Sequence, residues 1–145
     1  MSQTLLPWQV WALLAAAFAA LTAIFGKVGV EAINSDFATL IRTAVILAIT
    51  ACIVAATGAW QPLASVSARS WIFLTLSGLA TGASWICYYR ALKLGPASQV
   101  APIDKLSIVL VAIFAVLFLG ERLTARNWLG VALVAAGALL VATKR

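Results

Sequence analysis

APIDKLSIVLVAIFAVLFLGERLTARNW, residues 101–128, sets an acid and a base, Asp104 and Lys105, side by side just before a long apolar run. From Leu106 to Leu119 no charged side chain interrupts that run. Crossing the hydrocarbon core of a bilayer takes about 20 mostly apolar residues as a helix. The run then stops on Gly120-Glu121-Arg122 and Thr124, the residue types of a tight turn and a new helix start. One transmembrane span ends here and the next begins.

The rest of the chain has the same character. Of its 145 residues 64% are hydrophobic and 10% charged, with a mean hydropathy of +1.07. A water-soluble domain is roughly 45–50% apolar and about 25% charged, so this chain has too little polar material to coat a surface in water. Reading between charges and turn residues gives five spans, at about 7–25, 37–58, 71–89, 97–119 and 128–143. The runs lack the alternation of a membrane β-strand. The expected fold is all-α, a bundle of five transmembrane helices in one domain over residues 1–145.

The punctuation agrees. Asn34-Ser35-Asp36 supplies capping side chains before the second span, Gly58 ends it, and Gln61-Pro62 makes a turn. Leu94-Gly95-Pro96 separates the third span from the fourth. Loops this short force neighbouring helices to run antiparallel. Trp8, Trp11, Trp60, Trp71 and Trp128 lie near span ends, where an aromatic belt meets the interface, and Trp85 is the exception within a span. No Lys or Arg precedes the first span, which argues against a cleaved signal peptide.

Several function classes drop out. The chain has no histidine, so no Ser/His or Cys/His arrangement can form, and no Walker loop or nucleophile elbow is present. Cys52 and Cys87, both mid-span, read as small packing residues rather than metal ligands or a disulfide. No enzyme activity, metal or cofactor is expected. The net charge of +6 is scattered among short loops, which suits anionic lipid headgroups rather than nucleic acid.

Alternating spans put Lys27, Arg90, Lys93, Lys144 and Arg145 on one side of the membrane and Arg69, Arg122 and Arg126 on the other. Five cations against three favour the first side as cytoplasmic, and Arg42 and Lys105 near that side raise it to seven. Arg42 lies about 8 Å into the second span and Asp104 about 10 Å into the fourth. Ionised groups at such depths face a partner or a wet cavity, and an Arg42–Asp104 pair is expected. Lys105 projects about 100° away from Asp104 and is free to snorkel to the interface.

Ser77, Thr81, Ser84 and Tyr88 recur at helical spacing along the third span, flanked by Trp85 and Tyr89; Thr43, Thr50 and Thr57 recur every seven residues in the second. These polar stripes either line a cavity or bond between and within membrane helices. The candidate substrate or ion pathway is therefore Arg42, Ser84, Trp85, Tyr88, Asp104 and Lys105. Gly78 and Gly82 form a GxxxG pattern, and Gly130 with Gly137 marks a small face on the last span, both suited to close helix packing or dimerisation.

The segment ALKLGPASQVAPIDKLSIVLVAIFAVLFLGERLTARNWLGVALVAAGALLVA, residues 91–142, resembles the EamA-type repeat of the drug/metabolite transporter superfamily. Its most telling part is LFLGERLTARNWLGVALVAAG; upstream, IFGKVGVEAINSDFATLIRTAVIL resembles the opening of such a repeat, with Lys27 and Arg42 at family-typical places. Many members carry two repeats, and this chain carries one. The resemblance implies a half-size, five-helix transporter of the bacterial plasma membrane. Its implied partners are membrane lipids, a small-molecule substrate, and either a second copy or a related half-size protein. An odd number of spans inverts a tandem copy, so the two halves would be related by inversion. Pro102-Ile103-Asp104-Lys105-Leu106-Ser107 looks like a pattern of the half-size branch, and Glu121 and Arg122 look like a loop-fixing pair. Small multidrug resistance proteins are related four-helix transporters that depend on a glutamate in their first helix. No acidic residue occurs between Pro7 and Phe25, so export of lipophilic cations by that mechanism is not expected. The functions implied are secondary-active export of small metabolites such as amino acids or other organic ions, a non-transporting partner subunit, or flipping of a lipid-linked substrate.

Overall fold

The computed structural model describes residues 8–143; Pro7, Lys144 and Arg145 lie outside them. It is all-α: α1 (Trp8–Val30), α2 (Ser35–Ala56), α3 (Ala68–Leu94), α4 (Ala97–Asp104), α5 (Ser107–Leu119) and α6 (Ala125–Ala142), with one 3-10 turn at Leu63–Ser65. Five stretches are long and apolar enough to cross a membrane, α4 and α5 together making the fourth.

Local chemistry sets the ends. The Asn34 side chain caps α2, accepting hydrogen bonds from the Asp36 and Phe37 N–H groups at 2.8 and 3.2 Å, as the capping triplet suggests. Ser67 Oγ accepts from the Ser70 N–H at 3.1 Å at the start of α3, and Thr124 Oγ1 from the Asn127 N–H at 3.3 Å at the start of α6. Gly120 closes α5 at φ +68°, and the Glu121 N–H reaches back to the Ala115 carbonyl at 3.1 Å. That left-handed stop favours glycine, so Gly120→Ala is expected to cost about 1 kcal/mol. A detergent melt of the two proteins checks this, and an unchanged midpoint would mean that the turn relaxes.

Three expected spans are too short. α1 continues past Phe25 through Lys27, and α3 extends at both ends to include Arg69, Arg90 and Lys93; α6 starts at Ala125 rather than 128. Charge near a span end does not terminate a helix when the long side chain reaches a carbonyl or the interface. Lys27 Nζ donates to the Gly95 carbonyl at 3.0 Å, and Lys93 Nζ to the Ile33 carbonyl.

The fourth span differs more. Pro102, inside α4, has no N–H to donate and its ring crowds the preceding turn. Below it the ladder tightens. The Leu106 N–H bonds to Ile103, Ile108 to Lys105 and Val109 to Leu106, each at 3.0 Å and three residues apart. The expected helix 97–119 is therefore two helices meeting at Lys105-Leu106.

The described residues form two compact units, one comprising residues 8–28 and 94–143, the other Gly29–Lys93. In the first, α6 packs against α4 and α5. Ala112, Ala115 and Ala138 are its buried residues on α5 and α6, and such small side chains let membrane helices approach closely. In the second, Val30, Ala38, Thr39, Tyr89 and Leu92 are buried, at the last residue of α1, the start of α2 and the end of α3. Most of the large apolar side chains point outward, as they do when the solvent is lipid. Trp8, Trp11, Trp60, Trp71 and Trp128 are exposed, consistent with an interfacial belt.

Candidate functional site

Within the unit formed by α2 and α3, Arg42 and Trp85 come together. The guanidinium carbon lies 3.4 Å from the centroid of the Trp85 ring system. Trp85 is in turn held edge-on by two tyrosines one turn further along α3. Its ring centroid is 5.3 Å from that of Tyr88 at 80°, and 5.9 Å from that of Tyr89 at 64°. Tyr89 is buried, while Arg42, Trp85 and Tyr88 are half-buried. The spacing explains the cluster, because residues three and four apart share a helix face.

The energetics favour the stack. A charged side chain deep in a span costs about 2.5–3.5 kcal/mol on insertion scales, and a desolvated cation over an indole face recovers about 2. Stacking engages the flat face of the guanidinium, leaving the in-plane N–H donors for another acceptor. Within the unit, Asp36 is committed elsewhere. It receives Arg90 Nε on Oδ1 at 2.9 Å and Arg90 Nη2 on Oδ2 at 2.7 Å, a bidentate ion pair tying the start of α2 to the end of α3. The sequence does not display this pair, because Asp36 falls in the capping triplet, Arg90 lies beside a loop, and nothing local connects residues 54 positions apart.

Asp104 and Lys105 belong to the other unit, where they occupy the junction of α4 and α5. Lys105 Nζ lies 3.2 Å from Asp104 Oδ2. The expectation that Lys105 turns away from Asp104 is thus corrected, because a four-carbon stem spans the 100° step to its neighbour. The Asp104 carboxylate stands at the negative end of the α4 dipole, and the Lys105 ammonium offsets both. The expected Arg42–Asp104 pair joins residues of different units; inside its own unit each has the partner just described.

The threonine hydroxyls of the stripes turn inward on their own helices. Thr43 Oγ1 donates to the Thr39 carbonyl, Thr50 to Ile46, Thr57 to Ile53 and Thr81 to Ser77, all at 2.8 Å. This back-bonding satisfies the donors without a partner helix. Ser84 is exposed beside Trp85. Among the described residues, a side chain added at Gly78, Gly82, Gly130 or Gly137 would meet no heavy atom within 4 Å, so none of these glycines mediates a close helix contact inside its own unit. Cys52 and Cys87 are likewise exposed rather than packed. Among the described residues no group of His, Cys, Asp and Glu is placed to hold a metal ion.

Comparison with known proteins gives two kinds of relative. A Sinorhizobium protein named "Uncharacterized transporter in cobO 3'region" is 72% identical over 135 residues, 93% of this chain and 96% of its own length. The "Probable 4-amino-4-deoxy-L-arabinose-phosphoundecaprenol flippase subunit ArnE" of Yersinia pestis is 36% identical over 69 residues, 48% of this chain and 60% of that protein. No solved structure matches. The model of the EamA-like transporter family matches residues 6–143, and the chain belongs to that family, as a membrane transporter of the bacterial inner membrane.

Proposed function

We propose that the chain is half of a secondary-active transporter, moving a small organic ion by alternating access when paired with a second five-helix subunit. The second subunit is another copy or a related half-size protein. The observation that carries this reading is the interrupted fourth span, where Asp104 and Lys105 meet at the α4–α5 junction. Irregular backbone at membrane depth is tolerated where it lines a cavity or is buried in protein, and broken helices are where transporters of other folds hold substrates and coupling ions. Gly78, Gly82, Gly130 and Gly137, open to their surroundings, are available for contact with a partner helix. The whole chain then acts as one transmembrane domain without covalent chemistry.

Reconstituted protein should exchange radiolabelled metabolites across liposomes, faster with a pH gradient than without. Absence of flux across a broad panel of amino acids, organic acids and amines, with insertion verified, would sink this reading. A second reading, flipping of a lipid-linked substrate, is favoured by the similarity to a protein named as a flippase subunit. It requires a laterally open groove, and translocation of a fluorescent phospholipid or polyprenyl phosphate in the same liposomes separates it from export of a soluble metabolite.

A further inference from the structure

We infer that the molecule this protein moves carries an oxyanion, a carboxylate or phosphate, and that Arg42 receives it beside the wall formed by Trp85 and Tyr88. The inference rests on the transport reading above and adds a substrate class to it. Arg42 stands seven residues into α2, about 10 Å along the helix from Ser35. The face of its guanidinium is taken up by Trp85, 3.4 Å away. Its five N–H donors lie in the guanidinium plane, in the fork that matches a carboxylate or phosphate with two parallel hydrogen bonds.

Three observations narrow the ligand. First, the unit that holds Arg42 offers it no counter-ion of its own. Asp36 is bound at both oxygens by Arg90, and Glu31, in the segment between α1 and α2, makes no ion pair with Arg42. Second, Arg42 is half-buried rather than sealed. Third, an indole face is the best aromatic seat for a ligand cation, and here a resident cation already fills it. The same contact that would make Trp85 a receptor for an ammonium group therefore makes the cluster a receptor for an anion. Tyr88 and Tyr89, edge-on to the indole, fix the platform before the ligand arrives, so little ordering remains to be done on binding. The apolar flank suits a substrate with one charged end and an apolar or aromatic body.

Binding to purified protein in nanodiscs tests this with four soluble probes: radiolabelled benzoate, benzamide, benzylamine and inorganic phosphate. Vesicles of phosphatidylcholine containing phosphatidic acid serve as a lipid-borne oxyanion. Benzoate or phosphate should bind, with benzamide and benzylamine at background. Arg42→Lys keeps the charge but loses the fork, and should weaken binding about tenfold; Arg42→Gln should abolish it. A cooperative melt of each variant in detergent, with its midpoint above the assay temperature, excludes misfolding. Binding of phosphatidic acid alone assigns the oxyanion to a lipid headgroup, and binding of benzoate or phosphate to a soluble metabolite; either supports the inference.

It is overturned if no oxyanion binds, if benzamide or benzylamine binds as well as benzoate, or if Arg42→Gln binds like the wild type. Liposome flux distinguishes this failure from that of the transport reading. Movement of an amine or neutral solute that survives Arg42→Gln leaves transport standing and removes the oxyanion. Arg42-dependent binding with no flux of any solute or lipid does the reverse.

Discussion

Trp85→Ala is expected to be among the most destabilising single changes in the second unit, by about 2–3 kcal/mol, at or below the lower end of measured Trp→Ala losses in protein cores because the ring is only half-buried. Two losses combine. The edges of Tyr88 and Tyr89 lose the ring they pack against, and Arg42 loses the surface that makes its position within a span tolerable. Trp85→Phe keeps an aromatic face and should recover part of the loss, since the attraction for a cation is weaker for benzene than for indole. A double-mutant cycle isolates the stack. With Arg42→Gln and Trp85→Leu the coupling should be about 1–2 kcal/mol, measured as stability in detergent. If the two single changes add within about 0.5 kcal/mol, the 3.4 Å approach contributes no stability and the fixed anion platform loses its basis.

Trp85 also shows what the sequence displays and what it hides. Five spans are legible because charges are sparse and the intervening residues, Asn34, Gly58, Pro62, Gly95 and Thr124, are turn and capping types. Trp85 is legible as an anomaly, the one tryptophan away from the interface. Its partner is not, because a span cation can be accommodated by a carboxylate or by an aromatic face, and residues 42 and 85 are joined only by the pairing of α2 with α3. The same limit conceals Asp36–Arg90. Helix ends are misjudged at Lys27, Arg90 and Lys93 for a different reason. Charge marks where a helix meets the interface, while the backbone stops where capping chemistry allows it. The Thr stripes look like a lining from their spacing alone; hydrogen bonds to carbonyls four residues earlier are a purely local alternative with the same spacing.

The break after Pro102 is the feature on which the proposed mechanism rests, and the sequence shows the proline without its consequence, since membrane helices often absorb one. Once the ladder shifts to three-residue spacing around Lys105 and Leu106, Asp104 becomes the last residue of a short helix instead of one turn of a continuous span. The carboxylate then stands at a helix end rather than in a helix interior. The charged neighbour available to it is Lys105, and α6, which packs against α4, carries Arg126 as its only charged side chain among the described residues.

Asp104→Asn is therefore expected to uncouple transport from the proton gradient while leaving the pathway open. One pH unit corresponds to about 1.4 kcal/mol, so a single coupled proton supports up to about tenfold accumulation per unit in wild-type liposomes. The Asn variant should equilibrate substrate without accumulating it, and exchange at equal pH on the two sides should persist. Lys105→Gln serves as the companion change. It removes the ammonium from Asp104 but keeps the carboxylate, and should retain coupling. If Asp104→Asn accumulates substrate like the wild type, proton coupling does not run through this carboxylate. Asp104 and Lys105 are then an ion pair that neutralises an interrupted helix in the membrane, and the source of drive lies elsewhere.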